Sequence, residues 1–214
     1  MSREVQNLVC FALKEEAGAF RKLTAGRDDV SILVTGIGRK NSERTLVERL
    51  NQRTPRLVLT CGFAGGLDPA LTTGDVLYST DSEGLRGKLT VAGARWVKFY
   101  CATRIATTRQ EKRELRSTTG ADAVEMESEV IHTLCRERGI PCATVRVISD
   151  AASEDLPLDF NQLSKPDLSL DFGKLLWAIA KSPGRIPGLL RLQKNSSLAA
   201  QRLAEVLATV TRRD

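Results

Sequence analysis

Residues 142–150 read CATVRVISD, and this stretch decides the class of fold. It is a short apolar run, rich in β-branched residues, that stops at the acid Asp150. A run of this kind is typical of a strand that is buried on both faces of a sheet, as parallel strands are. The stretch therefore predicts a central strand whose last residue carries a carboxyl group.

Similar apolar runs recur along the chain and alternate with segments of helical spacing. The predicted strands are 7–13, 30–36, 56–62, 74–79, 97–107 and 142–149. The predicted helices are 14–23, 39–50, 109–120, 127–139, 170–181 and 185–210. We also predict a glycine-rich turn over 62–69 and a loop or hairpin over 80–98. This alternation predicts an α/β fold, with helices on the faces of a sheet.

Length and composition predict one domain that spans residues 1–214. The chain has 214 residues, of which 42% are hydrophobic and 27% charged, as in a globular protein with one sizeable core. It has no apolar run of 18 residues, and its first residues lack the apolar region and cleavage site of a leader. We therefore expect a cytoplasmic location.

Cysteine and histidine usage argues against several kinds of site. Five cysteines without a CxxC spacing favour a reducing compartment over a disulfide framework. His132 is the only histidine, so the chain has few side chains that could form a zinc site or a Ser-His or Cys-His nucleophilic pair. Helical spacing places His132 among apolar residues, which predicts a structural role.

Positive charge is concentrated in the basic, apolar, helical part 165–214. The net charge is +6, and residues 165–214 contain nine Lys or Arg against four Asp or Glu. This part could make a weak contact with an anionic membrane surface, or form an ordinary core-covering or dimer-forming helix pair. We favour the second interpretation and expect a homo-oligomer, a dimer. Since only 5% of residues are aromatic, no nucleic-acid partner is expected, and a basic nucleic-acid-binding module stays a minor alternative.

Acidic and glycine-rich segments fall at the ends of several predicted strands. They comprise Glu16, residues 62–66, residues 125–127 and residues 146–150. Acids in the first turn of a helix are worth ~0.3–1 kcal/mol each, so Glu125 and Glu127 have an ordinary structural explanation. Ligand sites of open α/β sheets nevertheless gather at strand ends, where carboxylates can protonate a leaving group, hold sugar hydroxyls or activate water.

Five blocks carry a resemblance to a known family: FALKEEA (11–17), TGIGRKNS (35–42), GFAGGLDPALTTGDV (62–76), AVEMES (123–128) and VRVISDAA (145–152). They resemble the signature blocks of the purine phosphorylase and methylthioadenosine/S-adenosylhomocysteine nucleosidase superfamily. Residues 106–128 and 182–207 are similar to its hopanoid-associated phosphorylase branch. The resemblance implies a three-layer fold with a central mixed sheet. It also implies cleavage of the N-glycosidic bond of an adenosine-type nucleoside, by water in a nucleosidase or by phosphate in a phosphorylase.

The resemblance also implies the catalytic residues. Asp150 would donate a proton to N7 of the purine, and Ser149 would hold its carboxyl group. Glu16, with Arg146, would position or deprotonate the attacking water, or bind phosphate. No metal or organic cofactor is implied, and phosphate is a possible co-substrate.

The remaining implied contacts hold the substrate, a purine nucleoside, and come from Glu127, Met126, Glu125, Ala64, Gly65 and Ile37. Glu127 would accept hydrogen bonds from ribose hydroxyls, Met126 and Ile37 would lie against the sugar, and Glu125 would border the base through its backbone. Ala64 and Gly65 would let the base approach the backbone.

Two departures from the family pattern bear on the substrate. Phe63 stands where the nucleosidases have a serine, and the aromatic residue that stacks on the base is replaced near Ile105. A more apolar cavity mouth would suit a bulky or lipid-linked 5′ substituent. A nucleoside-binding protein without catalysis remains the alternative to an enzyme.

Overall fold

The computed structural model of the protein describes residues 6–163 and 183–212. Its strands are β1 (Asn7–Phe11), β2 (Val30–Val34), β3 (Leu57–Gly66), β4 (Val76–Thr80), β5 (Arg95–Trp96), β6 (Phe99–Cys101), β7 (Ala123–Glu125) and β8 (Cys142–Asp150). Its α-helices are α1 (Lys14–Leu23), α2 (Arg39–Gln52), α3 (Glu83–Val91), α4 (Arg109–Thr119), α5 (Ser128–Glu137), α6 (Phe160–Leu163) and α7 (Ile186–Val210). A 3-10 turn (Pro183–Arg185) precedes α7.

These strands form one mixed sheet in the order β2-β1-β3-β8-β4-β5, with β7 and β6 attached to the end of β3. The central strands β2, β1, β3 and β8 are mutually parallel. Strand β4 runs antiparallel to β8, and β7 runs antiparallel to β3. Because parallel strands end at the same edge of a sheet, the carboxyl ends of β1, β3 and β8 meet there.

Helices cover both faces of the sheet, and a hydrophobic cluster fills the space between the sheet and the helices on each face. Alternation along β1 sends Val9 and Phe11 to the face covered by α1 and α7, and Leu8 and Cys10 to the face covered by α2 and α5. The predicted three-layer α/β fold is thereby confirmed. In β8 the same alternation places a charged residue, Arg146, inside the sheet, where it is only 1% exposed.

The glycine-rich segment 62–66 differs from its prediction as a turn. It continues β3, and its register with β8 shifts between Ala64 and Gly65. Glycine was a misleading signal here, because glycines also occur in strands where other groups approach the backbone closely. Gly62 is such a position.

Residues 80–98 were predicted as a loop or hairpin, and this is wrong for α3. Leu85 and Leu89 lie one turn apart and are both buried, and the Ser82 hydroxyl accepts a hydrogen bond from the Leu85 backbone N–H at 3.5 Å. The predicted strand 97–107 is limited to Phe99–Cys101. The predicted helix 170–181 lies outside the described residues. None of the helices that the structure describes is both long and apolar enough to span a membrane.

Candidate active site

A cavity of about 320 Å³ opens at the carboxyl ends of β1, β3 and β8. Nine of the ten predicted site residues line it: Glu16, Ile37, Ala64, Gly65, Glu125, Met126, Glu127, Ser149 and Asp150. The tenth, Arg146, lies beneath it and is 1% exposed. The remaining lining is mainly apolar and includes Leu13, Phe63, Ile105, Leu156, Phe160 and Leu192. The topology thus brings residues from distant parts of the chain to one cavity.

Asp150 marks one end of the cavity as the last residue of β8. Its Oδ1 accepts a hydrogen bond from the Ser149 hydroxyl at 2.7 Å, which is the contact that the family resemblance implies. Its Oδ2 accepts a hydrogen bond from Nζ of Lys112 at 2.5 Å, which was not expected. Both oxygens of the carboxyl group are therefore fixed by the protein.

Lys112 is the residue that sequence reasoning missed. It lies in α4, its side chain is 0% exposed, and it forms a buried ion pair with Asp150. Its segment, RQEKRELR, is charged on nearly every face, so periodicity does not distinguish it from its neighbours. The one available signal is its spacing of three residues from the partly buried Leu115, which places both side chains on one face of the helix.

Arg146 organises a group of carboxylates on the other side of the site. Its Nη2 donates to Glu125 at 2.7 Å and to Glu127 at 3.1 Å, and its Nη1 donates to the Cys61 carbonyl oxygen at 3.1 Å. Burial alone would lower the pKa of Arg146, but the carboxylates of Glu125, Glu127 and Glu16 more than offset this and raise it. The guanidinium is therefore a fixed positive charge under the cavity.

Of the two roles considered for Glu125 and Glu127, stabilising the helix start and binding substrate, the first belongs to Glu125. Glu125 accepts hydrogen bonds from the backbone N–H groups of Glu127 and Ser128 at 3.0 and 2.8 Å, and from the Ser128 hydroxyl at 2.6 Å. It thus stabilises the start of α5, in agreement with the structural interpretation. Burial would raise the pKa of Glu125, but Arg146 and these hydrogen bonds lower it overall.

Glu127 is turned away from the helix start. It occupies the N-cap position of α5 without making a side-chain cap. Its Oε1 instead accepts from the Gly38 N–H at 2.9 Å, and its Oε2 contacts Arg146. Burial raises the pKa of Glu127, Arg146 opposes this, and the nearby charge of Glu125 adds to the increase.

Glu16 is the third carboxylate of the group and is 4% exposed. Its Oε1 accepts from the Phe63 N–H and its Oε2 from the Leu13 N–H, both at 2.9 Å. The backbone of Phe63 thus holds Glu16 although its side chain has no hydroxyl. Burial raises the pKa of Glu16 to about 7, against the lowering effect of Arg146. A carboxyl group with this pKa can exchange a proton with water near neutral pH.

Gly62 makes the close approach of these charges possible, and this can be tested. Its φ is +148°, and a Cβ there would lie 2.6 Å from Glu16 Oε1 and 2.7 Å from Arg146 Nη1. We expect Gly62→Ala to lower the free energy of unfolding by about 1–3 kcal/mol beyond the conformational cost, because both neighbours are buried and hydrogen-bonded. Chemical denaturation measures this difference.

Gly74→Ala is the matched control, since Gly74 also has a positive φ, +97°, but no atom lies within 4 Å of its added Cβ. Equal losses in the two variants would show that the steric contact at Gly62 is unimportant.

Residues 11–100 and 97–181 match the family model of the Phosphorylase superfamily. The chain belongs to this superfamily. This member is 26% identical over 203 residues to the 5′-methylthioadenosine/S-adenosylhomocysteine nucleosidase of Glaesserella parasuis, which covers 76% of this chain and 87% of the relative. It is also 26% identical over 174 residues to the nucleosidase of the same name from a Marinomonas species, covering 64% and 74% of the two chains. The predicted enzyme class agrees with the family and with these relatives.

Several solved structures share the fold. Futalosine hydrolase of Helicobacter pylori matches with a TM-score of 0.73 at 18% identity, over 96% of this chain and 97% of that one. The 5′-methylthioadenosine/S-adenosylhomocysteine nucleosidase of Neisseria meningitidis, in complex with methylthio-immucillin-A, gives 0.71 at 18% identity, over 97% and 98%. These likenesses confirm the architecture of the mixed sheet and its flanking helices.

His132 lies outside the cavity, in agreement with its predicted structural role. Its Nε2 hydrogen-bonds with the Thr144 hydroxyl at 2.9 Å. Burial lowers the pKa of His132. Within residues 6–163 and 183–212, no cluster of three or more His, Cys, Asp or Glu side chains could hold a metal ion. That no metal or organic cofactor takes part stays a prediction.

Proposed function

We propose that this protein hydrolyses the N-glycosidic bond of an adenosine-type purine nucleoside. One observation carries the proposal: a single cavity is lined both by a fixed acid, Asp150, and by the carboxylates of Glu16 and Glu127 above a buried arginine. Glycosidic cleavage needs an acid for the leaving group and a carboxylate for the sugar and the nucleophile. The purine as leaving group is inferred from the names of the nucleosidase relatives.

Asp150 acts on the leaving group. When the N9–C1′ bond breaks, its electron pair moves to the purine, and a proton from Asp150 at N7 lets the purine depart neutral. Ser149 holds the carboxyl group in place. Ala64 and Gly65, which have little or no side chain, form the adjoining cavity wall and leave room for a flat base.

Glu127 acts on the sugar as positive charge develops at C1′. Its carboxylate accepts hydrogen bonds from ribose hydroxyls, and these bonds strengthen as the ribose becomes an oxocarbenium ion. Met126 and Ile37 line the same cavity and supply apolar contact with the ribose. Glu125 keeps the helix start in place and borders the cavity.

Charge favours water over phosphate as the nucleophile. Three carboxylates, those of Glu16, Glu125 and Glu127, surround the one guanidinium of Arg146 and raise its pKa. Since Arg146 already donates to two of them, it is a positioning residue, and a phosphate dianion entering here would meet net negative charge. Glu16, with a pKa of about 7, can instead take a proton from an attacking water.

If water is the nucleophile, adenine release should not depend on phosphate. The protein is incubated with adenosine, methylthioadenosine and a 5′-alkyl adenosine, with and without phosphate, and adenine and sugar products are quantified. We expect free ribose or its 5′ derivative at equal rates in both buffers. A sugar 1-phosphate, or turnover only with phosphate, would show a phosphorylase. Base binding without release would show a nucleoside-binding protein.

Glu129→Gln is the matched control for Glu127→Gln in the same assay. The Glu129 side chain is 63% exposed and pairs with Arg39 at the surface, whereas the Glu127 side chain is 7% exposed and faces the cavity. Loss of release is therefore expected only in Glu127→Gln.

The apolar lining suits a bulky or lipid-linked 5′ substituent. Leu13, Ile105, Phe160 and Leu192 border the cavity, and Leu192 comes from α7. This lining and the similarity of residues 106–128 and 182–207 to hopanoid-associated phosphorylases support the proposal. The substrates named above test this proposal of a bulky 5′ substituent, since kcat/KM should rise from adenosine to the 5′-alkyl adenosine.

The single domain, the homo-oligomer and the weak membrane contact remain predictions about the whole chain. Exposed apolar side chains of α7, at Ile186, Leu190 and Leu198, are compatible with either a dimer or a membrane contact. Residues 164–182, which carry part of the basic apolar segment, lie outside the described residues.

A further inference from the structure

A fully buried lysine lies directly behind the acid end of the cavity. The Nζ of Lys112 donates to Asp150 Oδ2 at 2.5 Å, to the Ala151 carbonyl oxygen at 2.8 Å and to the Glu154 carbonyl oxygen at 2.9 Å. An ammonium group has three N–H donors, so all of them are used. Lysine is almost never fully buried unless it is paired, and the Asp150 carboxylate provides the paired charge.

Only one carboxyl group separates Lys112 from the cavity. A Cβ at Gly65, which lines the cavity, would lie 3.4 Å from Asp150 Oδ2 and 3.9 Å from Lys112 Cε. The oxygen that accepts the lysine hydrogen bond is therefore also next to the wall where the base is proposed to bind. Lys112 itself does not line the cavity, so it can act only through Asp150.

We propose that Lys112 is the proton reservoir of the leaving-group acid and acts through Asp150, an inference that rests on the proposed function. As the N9–C1′ bond breaks, the proton of the Nζ–Oδ2 hydrogen bond moves to Oδ2, and Asp150 passes it to N7. The purine leaves neutral, with the electron pair of the broken bond. Lys112 becomes a neutral amine and Asp150 a carboxylate.

Attack of water then completes the reaction, and Lys112 regains its proton. Water gives its hydroxyl to C1′ and its proton to Glu16, and exchange with solvent returns a proton to the lysine. The neutral amine leaves the buried Asp150 carboxylate without its paired charge, so return of a proton to the lysine is favoured. Lys112 thus does not touch the substrate; it positions Asp150 and supplies the proton that Asp150 transfers.

A purely structural role for Lys112 makes a different prediction. Its bonds to the carbonyl groups of Ala151 and Glu154 also fasten the segment after β8 to α4. Loss of that attachment would slow the cleavage of every substrate. Loss of a proton source would slow only those substrates whose leaving group needs a proton.

Lys112→Met, which keeps the unbranched side chain as far as Cε without charge or donors, separates the two roles. The assay compares adenosine with 4-nitrophenyl β-ribofuranoside, whose nitrophenolate departs without a proton. We expect kcat/KM for adenosine to fall by about 10²-fold or more, and that for the nitrophenyl riboside to change by less than about threefold. Arg113→Met, an exposed neighbour in α4, is the control.

A second measurement uses adenosine alone. The pH–rate profile of the variant should change in shape, since one proton-donating pair is removed, whereas a structural defect would only scale it. If Lys112→Met does not fold, Lys112→Gln keeps hydrogen-bond donors without charge and takes its place. Wild-type turnover of adenosine in the variant, or equal losses on both substrates with an unchanged profile, would overturn the inference. If the wild-type protein releases no base from any nucleoside, the proposed function fails first.

Discussion

Replacement of Asp150 by Asn is expected to lower kcat/KM for adenine release by about 10²–10⁴-fold, the usual contribution of a general acid. An amide in place of the carboxyl group cannot pass a proton to N7, so the purine would have to leave as an anion. The change is measured by the release of adenine from adenosine and methylthioadenosine at saturating and at low substrate.

The same substitution leaves most of the local structure in place. The amide oxygen can still accept the hydrogen bond of Lys112, but the negative charge that offsets the buried ammonium is lost. We therefore expect a lower melting temperature, since removing one charge of a buried pair destabilises the folded state. Activity is compared below the melting temperature of the variant.

Asp81→Asn is the control for this experiment. Its side chain is 89% exposed and lies at the surface, 3.7 Å from Arg136. The control should match the wild-type protein in rate and stability. Adenine release that survives Asp150→Asn undiminished would remove Asp150 from the role of acid.

Replacement of Glu16 by Gln should cause the second large loss, also about 10²-fold or more, because the amide cannot take a proton from the attacking water. The pH dependence gives a separate test. Burial raises the pKa of Glu16 to about 7, so the basic form is scarce below that pH and predominates above it. The wild-type rate should rise with pH through about 7, and this limb should be absent in the variant.

The raised pKa of Glu16 also makes the free energy of unfolding depend on pH. The pKa of Glu16 rises from 4.5 to about 7 on folding, so the folded chain binds the proton more tightly. The resulting stabilisation is complete below pH 4.5 and is lost as pH rises through about 7, by roughly 3 kcal/mol at about 1.4 kcal/mol per unit. Denaturation at pH 5 and pH 8 should show a smaller difference in Glu16→Gln than in the wild-type protein.

Glu15→Gln is the control, since Glu15 precedes Glu16 in the same helical turn but is exposed. Equal effects of the two substitutions on the rate would show that the charge of α1, and not the buried position of Glu16, matters. A pH profile that stays flat around pH 7 would remove Glu16 from the role of base.

Apolar periodicity determined most of the fold from the sequence. Strands buried on both faces are continuous apolar runs, so β1, β3 and β8 were evident, and the helices between them followed from spacing and from stop signals such as Gly120. The errors fell where one residue type serves two purposes. The glycines of 62–66 predict a turn, although in β3 they admit the side chains of neighbouring elements.

The residues that follow the predicted strands also indicated where the site lies. Because parallel strands finish at one edge, Glu16 and Asp150 could be assigned to a common region although 134 positions separate them in the chain. The direction of each side chain was not available in this way. Glu125 and Glu127 differ by only two positions and both contact Arg146, yet the first holds the start of α5 and the second accepts from Gly38.

The sequence by itself determined the α/β sheet, the edge at which the site lies and the acids that meet there, because hydrophobic periodicity is a local property of the chain. Only the tertiary structure decided which charges are buried together. The pairing of Lys112 with Asp150 spans 38 positions, and the placement of Arg146 under three carboxylates depends on strand register. Burial sets the strength of electrostatic interactions, and burial exists only once the chain has folded.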